Sequence, residues 1–481
     1  MKIALILPPI TLEERYNKVV AHMAGSLPPL GLLSIGTMLK QAGHDVMVYD
    51  GSIMSFDAIM AEIGHFAPQV IGITAMTVMW PKVKFLSAKI KERWPKINII
   101  VGGVHATMIK ENALSELPNV DAVAWGEGEY SMLDYVEKTH DPRRTQPIDG
   151  IAFRLMDGSV AKGRDREPIT DLDALPIPDR TMVPVTKYVS AFEQYKRLPV
   201  TNIITARGCP FKCIFCLPSL LGKGVRYRST EKVIEEIEYL LTNFGIRDVA
   251  FWDDTFTVNK KRVFEICECI IEKRLDFIWS AQARADCVTP AMLEMMARSG
   301  CWKLFFGVES LVQKNLNTLR KGEGVKQIFE AVKWTKKAGI EVEASFIFGI
   351  PGETFREGLE TIRLAKILDP DYAKFFFLTP YGDFLKEAKI YGTIIDEDQT
   401  RYGGSAMRFI PFSMSREELG ELYYRAYRQF YLRPKMAWRR MKKICDPIEF
   451  EKSINGLRAI AAFVIEELKS RTFKKRGYGK A

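Results

Sequence analysis

Short apolar runs separated by amphipathic stretches fill the first 140 residues. KIALILP, HDVMVYD, QVIGITA, INIIVGG and VDAVAWGE are rich in β-branched residues and almost continuously apolar, the pattern of strands buried on both faces. Between them, PLGLLSIGTMLKQAG and WPKVKFLSAKIKERWP place apolar residues at helical spacing. This alternation predicts a doubly wound, Rossmann-like parallel sheet over 1–145. Ligands of such sheets bind beyond the carboxyl ends of the strands. Those ends carry Pro29-Leu30-Gly31, Asp50-Gly51-Ser52, Thr74-Ala75-Met76-Thr77, Gly102-Gly103-Val104-His105 and Gly126-Glu127-Gly128-Glu129. Paired glycines there let a ligand approach the backbone closely.

The pattern then changes. IAFRL, MDGS and VAKG read as a hairpin with an Asp-Gly turn. The proline-rich ITDLDALPIPDR follows, and the two predict a connector over 146–195. A second alternation begins near residue 200, with TNIITA, RDVAFWD, DFIWSAQ, WKLFFGV, EVEASFIFG and YAKFFFLTP as strands. STEKVIEEIEYLLTNFG is a helix with Ser229 as N-cap and Gly245 as its end. Six strand–helix units predict a partial TIM-type (β/α)6 barrel over 196–395, with its site at the carboxyl ends of the strands. The fold class is therefore α/β, and 396–481 reads as a basic, helical, aromatic C-terminal cap.

Composition adds a compartment and a charge map. Hydrophobic residues make up 47% and charged residues 27%, as in ordinary globular proteins. No run reaches the ~18 apolar residues of a membrane span, and MKIALILPPI reads as a buried strand rather than a signal peptide. Cytoplasmic residence follows, where cysteines are ligands or free thiols. The net charge of +10 lies wholly in 406–481, which holds 18 Lys plus Arg against 8 Asp plus Glu. That segment reads as a solvated cap, as a surface for an anionic membrane or amphiphile, or, with no readout motif, as a nucleic-acid contact, ranked last. All five histidines precede residue 141, so the second half has no histidine base.

The candidate chemistry is concentrated in ARGCPFKCIFC, where Cys209, Cys213 and Cys216 have the spacing C-x3-C-x2-C directly after the first strand of the second alternation. A cubane cluster offers four irons, and three clustered thiolates leave one open to bind substrate. Cys267, Cys269, Cys287, Cys301 and Cys445 are scattered and read as small buried residues.

The cysteine spacing, with Phe215 before the last cysteine, resembles the radical S-adenosylmethionine enzymes over residues 200 to about 390. The doubly wound domain in front is similar to the cobalamin-binding branch, whose members include class B methyltransferases and the anaerobic magnesium-protoporphyrin cyclases. The resemblance implies a 4Fe–4S cluster on the three cysteines. S-adenosylmethionine chelates the open iron and is cleaved by one electron to a 5′-deoxyadenosyl radical, which removes hydrogen from an unactivated carbon. It implies a one-electron donor such as ferredoxin or flavodoxin and a small-molecule substrate. By placement it assigns Asp253 and Asp254 to the cofactor's amino group or ribose (against an N-cap role), and Glu309 to the ribose or methionine part. Arg284 would pair the carboxylate, against a structural salt bridge. Gly349 and Pro351 would lie along the adenine, and Tyr381 would face substrate or pack the barrel mouth. For cobalamin it assigns Thr74, Ala75, Thr77, Gly102, Gly103 and Val104. The axial-histidine motif D-x-H-x-x-G reads Asp50, Ser52 and Ser55 here, so no axial imidazole comes from this loop. His105 starts the next helix or touches a phosphate.

The leading expectation is methyl transfer through methylcobalamin. Radical cyclisation, oxidation or carbon–carbon coupling on a tetrapyrrole or lipid-like substrate is the alternative enzyme reading. A non-catalytic cluster and corrinoid sensor is the alternative from another class.

Overall fold

The computed structural model describes residues 1–12, 14, 24–138, 146–217, 224–398 and 406–443, with 450, 453–456 and 458. Expectations for Cys445 and most of the basic tail beyond 443 lie outside the described residues.

All five strands expected in the first alternation form: β1 Lys2–Leu7, β2 Asp45–Asp50, β3 Val70–Thr74, β4 Asn98–Gly102 and β5 Ala122–Ala124. They pair in parallel in the order β2-β1-β3-β4-β5. Ile3, Ile6, Val70, Ile71, Ile99 and Val101 are essentially inaccessible, which is why these strands read as continuous apolar runs. The expected hairpin forms as β6 Ile151–Arg154 and β7 Val160–Lys162. It is not a free connector, however. β6 pairs antiparallel with β5, and the sheet extends to seven strands. The buried Ile151, Ala152 and Phe153 gain their cover by joining that sheet edge.

The second alternation supplies β8 Val200–Ile203, β11 Asp248–Phe251, β12 Ile278–Ala283, β13 Cys301–Glu309, β14 Glu341–Phe348 and β15 Tyr372–Phe377. They form one parallel six-stranded sheet, ordered β15-β14-β13-β12-β11-β8, whose outer strands do not meet. It is an open barrel. The helix Thr230–Phe244 has Ser229 as its N-cap, accepting from Lys232 N, and ends on left-handed Gly245. Two short strands, β9 Ala206–Arg207 and β10 Arg226–Tyr227, pair antiparallel. They close the neck of the cysteine loop just beyond β8. A third ribbon, β16 Gly392–Ile394 with β17 Phe409–Pro411, leads to the helices Arg416–Tyr431 and Pro434–Lys443. Among the described residues no helix is long and apolar enough to cross a membrane.

Candidate active site

The site is built where six parallel strands end. The cysteine loop follows β8, Asp253 and Asp254 follow β11, and Arg284 follows β12. Glu309 closes β13, Gly349 follows β14 and Tyr381 follows β15. One chain direction thus delivers every barrel residue named from the sequence to one face.

The loop's neck is narrow because it has no Cβ. Gly208 lies at φ +92°, and a Cβ there would stand 2.3 Å from the Gly224 carbonyl oxygen. Within the loop, Cys209 Sγ is 3.8 Å from Thr255 Oγ1, and Cys213 Sγ is 3.9 Å from Arg284 Nη1. The Cys216 amide donates to the Cys213 carbonyl (3.2 Å), and the Ile214 amide to the Leu319 carbonyl (3.1 Å). Burial raises the Cys213 thiol pKa, while Lys321 and Arg284 work against that rise by favouring the thiolate.

The carboxylates have separate tasks. Asp253 is buried and accepts from Thr205 N (2.6 Å), Thr205 Oγ1 (2.5 Å) and Ala206 N (3.0 Å). It is therefore turned inward to fix the turn into the cysteine loop, and not toward a ligand. Asp254 is exposed at the mouth. Glu309 is buried at φ +65°, where β13 and β14 shift register. Ser345 Oγ donates to it at 3.3 Å, and Lys321 Nζ lies 3.8 Å away. Burial raises its pKa and Lys321 opposes the rise. Gly307 makes room, since a Cβ there would stand 2.4 Å from Glu309 Oε1. A non-glycine residue in the left-handed region is held there by its surroundings, as at functional sites elsewhere.

Arg284 is buried and paired to Asp286 through Nε (3.0 Å) and Nη2 (2.9 Å), with Nη2 also donating to the Lys321 carbonyl (2.7 Å). Its guanidinium lies 3.5 Å from the Phe211 ring centroid, so it packs the cysteine loop from beneath. The salt bridge weighed against carboxylate binding is therefore present. Gly349 (φ +85°) and Ile350 donate their amides to Glu353 Oε2 at 2.7 and 3.2 Å. Tyr381 precedes Gly382, where a Cβ would stand 2.3 Å from Leu217 Cδ2, so it borders the end of the cysteine loop.

In the first domain, the ends of β3 and β4 merge into a ledge. Ala75 N donates to the Gly102 carbonyl (3.1 Å) and His105 N to the Ala75 carbonyl (3.2 Å). Gly103, at φ +96°, has Thr74 Oγ1 and Ala75 N within 2.8 Å of where a Cβ would be. Val104 is exposed beside it. His105 does start the helix Val104–Ile109, but it is buried. Its Nδ1 is 3.2 Å from Thr77 Oγ1 and its ring packs edge-on against Trp80. That makes it and Thr77 core partners. Asp50 accepts from Tyr188 Oη and Ser52 N, both at 2.7 Å, and Ser55 caps the helix Phe56–Phe66.

Sequence reasoning missed the contacts between the domains. Arg207 and Arg226, register partners across the neck, both reach Glu127 (2.6 and 2.7 Å), and Arg207 also holds Glu129 (2.6 Å). Gly126-Glu127-Gly128-Glu129 was expected to meet a ligand through its glycines, yet its carboxylates carry the contact. The signal available in sequence was an arginine on either side of the cysteine loop.

The segment that follows β5 in the doubly wound sheet is thus bound to the neck of a three-thiol loop at the mouth of an open barrel. The Radical SAM superfamily pattern matches residues 203–365, and the B12 binding domain pattern matches 16–136. A protein described as an uncharacterized methyltransferase from Pyrococcus horikoshii is 35% identical over 443 residues, covering 91% of this chain and 94% of its own. The anaerobic magnesium-protoporphyrin IX monomethyl ester cyclase of Rubrivivax gelatinosus is 29% identical over 88% of this chain and 77% of its own. The fold matches that of TsrM, a radical S-adenosylmethionine methyltransferase from Kitasatospora setae solved with cobalamin and a 4Fe–4S cluster. The TM-score is 0.70 at 17% identity, over 88% of this chain and 90% of that one.

The chain belongs to the cobalamin-dependent radical S-adenosylmethionine enzymes. Its cofactors are a 4Fe–4S cluster, S-adenosylmethionine and cobalamin, and an enzyme of this family draws on an electron donor and a small-molecule substrate. The residues present fit these groups. The loop offers three free thiols with two cations beside Cys213, and at the ledge Gly103 packs tightly on Thr74 and Ala75 with Val104 exposed beside it. The sensor reading is set aside.

Proposed function

We propose that this protein is a C-methyltransferase acting on an unactivated carbon of a small molecule. The observation that carries the reading is the contact of the segment after β5 with the neck of the cysteine loop, through Arg207 to Glu127 and Glu129. When bound, the cofactors supply a one-electron cleavage of S-adenosylmethionine and a transferable methyl group. In this proposal Cys209, Cys213 and Cys216 hold the cluster. Lys321 and Arg284 offset thiolate charge, and Asp253 keeps the loop's approach fixed. Glu309 and the exposed Asp254 accept hydrogen bonds from the cofactor's amino or ribose groups. The Gly349–Pro351 turn, held by Glu353, offers backbone to the adenine. Tyr381 borders the substrate space. The Thr74–Ala75 and Gly102–Val104 ledge receives the corrinoid, with Thr77 supporting it from the core. With Ser52 replacing histidine and Asp50 already paired, this loop supplies no axial imidazole.

Ferredoxin or flavodoxin is the proposed reductant. Residence in the cytoplasm agrees with the free thiols. Exposed Leu432, Trp438 and Met441 beside Lys435 fit contact with an amphiphile. A second reading, radical ring closure, draws on the similarity to the cyclase of Rubrivivax gelatinosus.

Product analysis separates the two. Methyl transfer yields S-adenosylhomocysteine together with 5′-deoxyadenosine, whereas 5′-deoxyadenosine alone sinks the methyltransferase reading. Cys213→Ala should abolish 5′-deoxyadenosine formation under dithionite, and retained cleavage overturns the cluster assignment.

A further inference from the structure

The cysteine loop leaves the barrel by one strand and returns by another. Arg207 on β9 and Arg226 on β10 stand directly opposite each other. Both point to one carboxylate, Glu127, which comes from the cobalamin-binding domain some eighty to a hundred residues away in the chain. Glu127 Oε1 receives Arg207 Nη1 at 2.6 Å, and Oε2 receives Arg226 Nη1 at 2.7 Å. Arg207 Nη2 reaches Glu129 at 2.6 Å, and Ser34 Oγ donates to the same Glu129 oxygen at 2.8 Å. Ile169 closes the set, its amide on Glu127 Oε2 (2.7 Å) and its carbonyl on Arg226 Nη1 (2.6 Å). The carboxylates are 5% and 4% exposed and the arginines 18% and 12%. Charge pairs this buried are screened little and hold a defined geometry, and removing one member strands its partner. Glu127 and Glu129 lie just beyond β5, next to the strand-end ledge, while Arg207 stands two residues before Cys209.

We propose that Glu127 and Glu129 are positioning residues. They clamp the neck of the cysteine loop to the cobalamin-binding domain, so that occupancy of one cofactor site is felt at the other. The proposal rests on the functional reading above, because it needs corrinoid and cluster to share a catalytic space. Its physical content is linkage. An ordered loop holds both arginines at fixed points and so orders the strand-end surface that receives the corrinoid. By thermodynamic reciprocity, corrinoid then favours the ordered loop.

The test titrates hydroxocobalamin into the full chain, with and without a cluster reconstituted from iron and sulfide under anaerobic conditions. In the wild type, cluster loading should tighten hydroxocobalamin binding about five-fold or more, the lower range of measured couplings. Glu127→Gln should reduce that ratio, with the Arg207–Glu129 pair keeping the remainder. Arg226→Gln alters only the loop side and leaves Arg207 on Glu127, so it should reduce the ratio even if Glu127→Gln folds poorly. The double variant should lose no more than Glu127→Gln alone, since the two groups act through one contact. A merely structural contact would lower stability and leave the ratio unchanged. A wild-type ratio of one, or a ratio preserved in both single variants, overturns the clamp while the functional reading stands. No hydroxocobalamin binding by wild type overturns the functional reading and the clamp with it.

Discussion

Glu353 is a carboxyl group with no accessible surface, and it is a consequence of the turn it serves. Gly349 N, Ile350 N and Asn315 Nδ2 all donate to it, the last at 3.1 Å. Burial outweighs these donors and pushes its pKa up to about 8 from the ordinary 4.5. Between those values the folded chain keeps a proton that the unfolded chain has released. Proton binding is thus greater in the folded state, and this group makes stability fall as pH rises, with the loss complete above 8. Glu353→Gln is neutral throughout and should escape that fall. Urea midpoints of variant and wild type should diverge from pH 5 to pH 8.5 in favour of the variant, by at least ~1 kcal/mol, since each pKa unit corresponds to about 1.4 kcal/mol. Equal pH dependence in the two proteins would mean that Glu353 is ionised when folded.

At the scale of elements, the cysteine loop depends on its neck more than on its interior. An alanine at Gly208 would place Cβ 2.3 Å from the Gly224 carbonyl oxygen and would also hold a left-handed φ of +92°. β9 and β10 would have to part, taking Cys209 with them. Gly208→Ala should therefore fold, because the ribbon is only two residues per strand, and yet retain less than half the wild-type iron after anaerobic reconstitution. Gly224→Ala is the matched comparison. Its φ is +84° with nothing within 4 Å of the new Cβ, so it meets backbone strain of about 1–2 kcal/mol and no clash, and should keep its iron. Equal iron in both variants would show that the close approach does not matter. Reading the chain as a string succeeded where periodicity is local. The strands around Ile3 and Ile71 are nearly continuous apolar runs, and the C-x3-C-x2-C spacing carries its chemistry in eleven residues. It failed where a partner is distant. Nothing near Glu127 or Glu129 in sequence announces arginines 78–99 residues later. Nothing near Asp253 says that its oxygens are taken up by Thr205 and Ala206, nor near His105 that Trp80 and Thr77 enclose it.

An open barrel has two free edges, and at the scale of the whole molecule both are covered by parts outside the barrel. On β8, the Asn202 carbonyl accepts from Arg180 Nη2 at 2.9 Å, and the connector arginine is held by Glu236. On β15, the helix Arg416–Tyr431 does the same with hydroxyl groups. Tyr431 Oη accepts from Ala373 N (2.9 Å) and donates to Ala373 O (2.7 Å). Tyr427 Oη meets Phe375 N and O, both at 3.3 Å. The match is metric. Residues i and i+4 of a helix rise about 6 Å, and the outward-facing backbone groups of a strand recur every second residue, about 6.6 Å. Two tyrosines one turn apart thus stand in for a neighbouring strand. Beyond them Arg433, Lys435 and Arg439 converge on Asp369. The C-terminal helices thus lie on the barrel as a cap, and several basic and aromatic residues between Tyr423 and Lys443 are turned onto it rather than outward. The double variant Tyr427→Phe/Tyr431→Phe keeps both rings and deletes only the hydroxyls, leaving four edge groups without these partners. An unsatisfied buried group costs about 1–3 kcal/mol and solvent access lessens that, so a total loss of about 2–4 kcal/mol is expected in urea unfolding. An edge strand stripped of its cover is also a template for pairing with another chain, so light scattering should reveal concentration-dependent association absent from wild type. If the variant is as stable and as monodisperse as wild type, the rings alone protect the edge and the hydroxyl ladder is incidental.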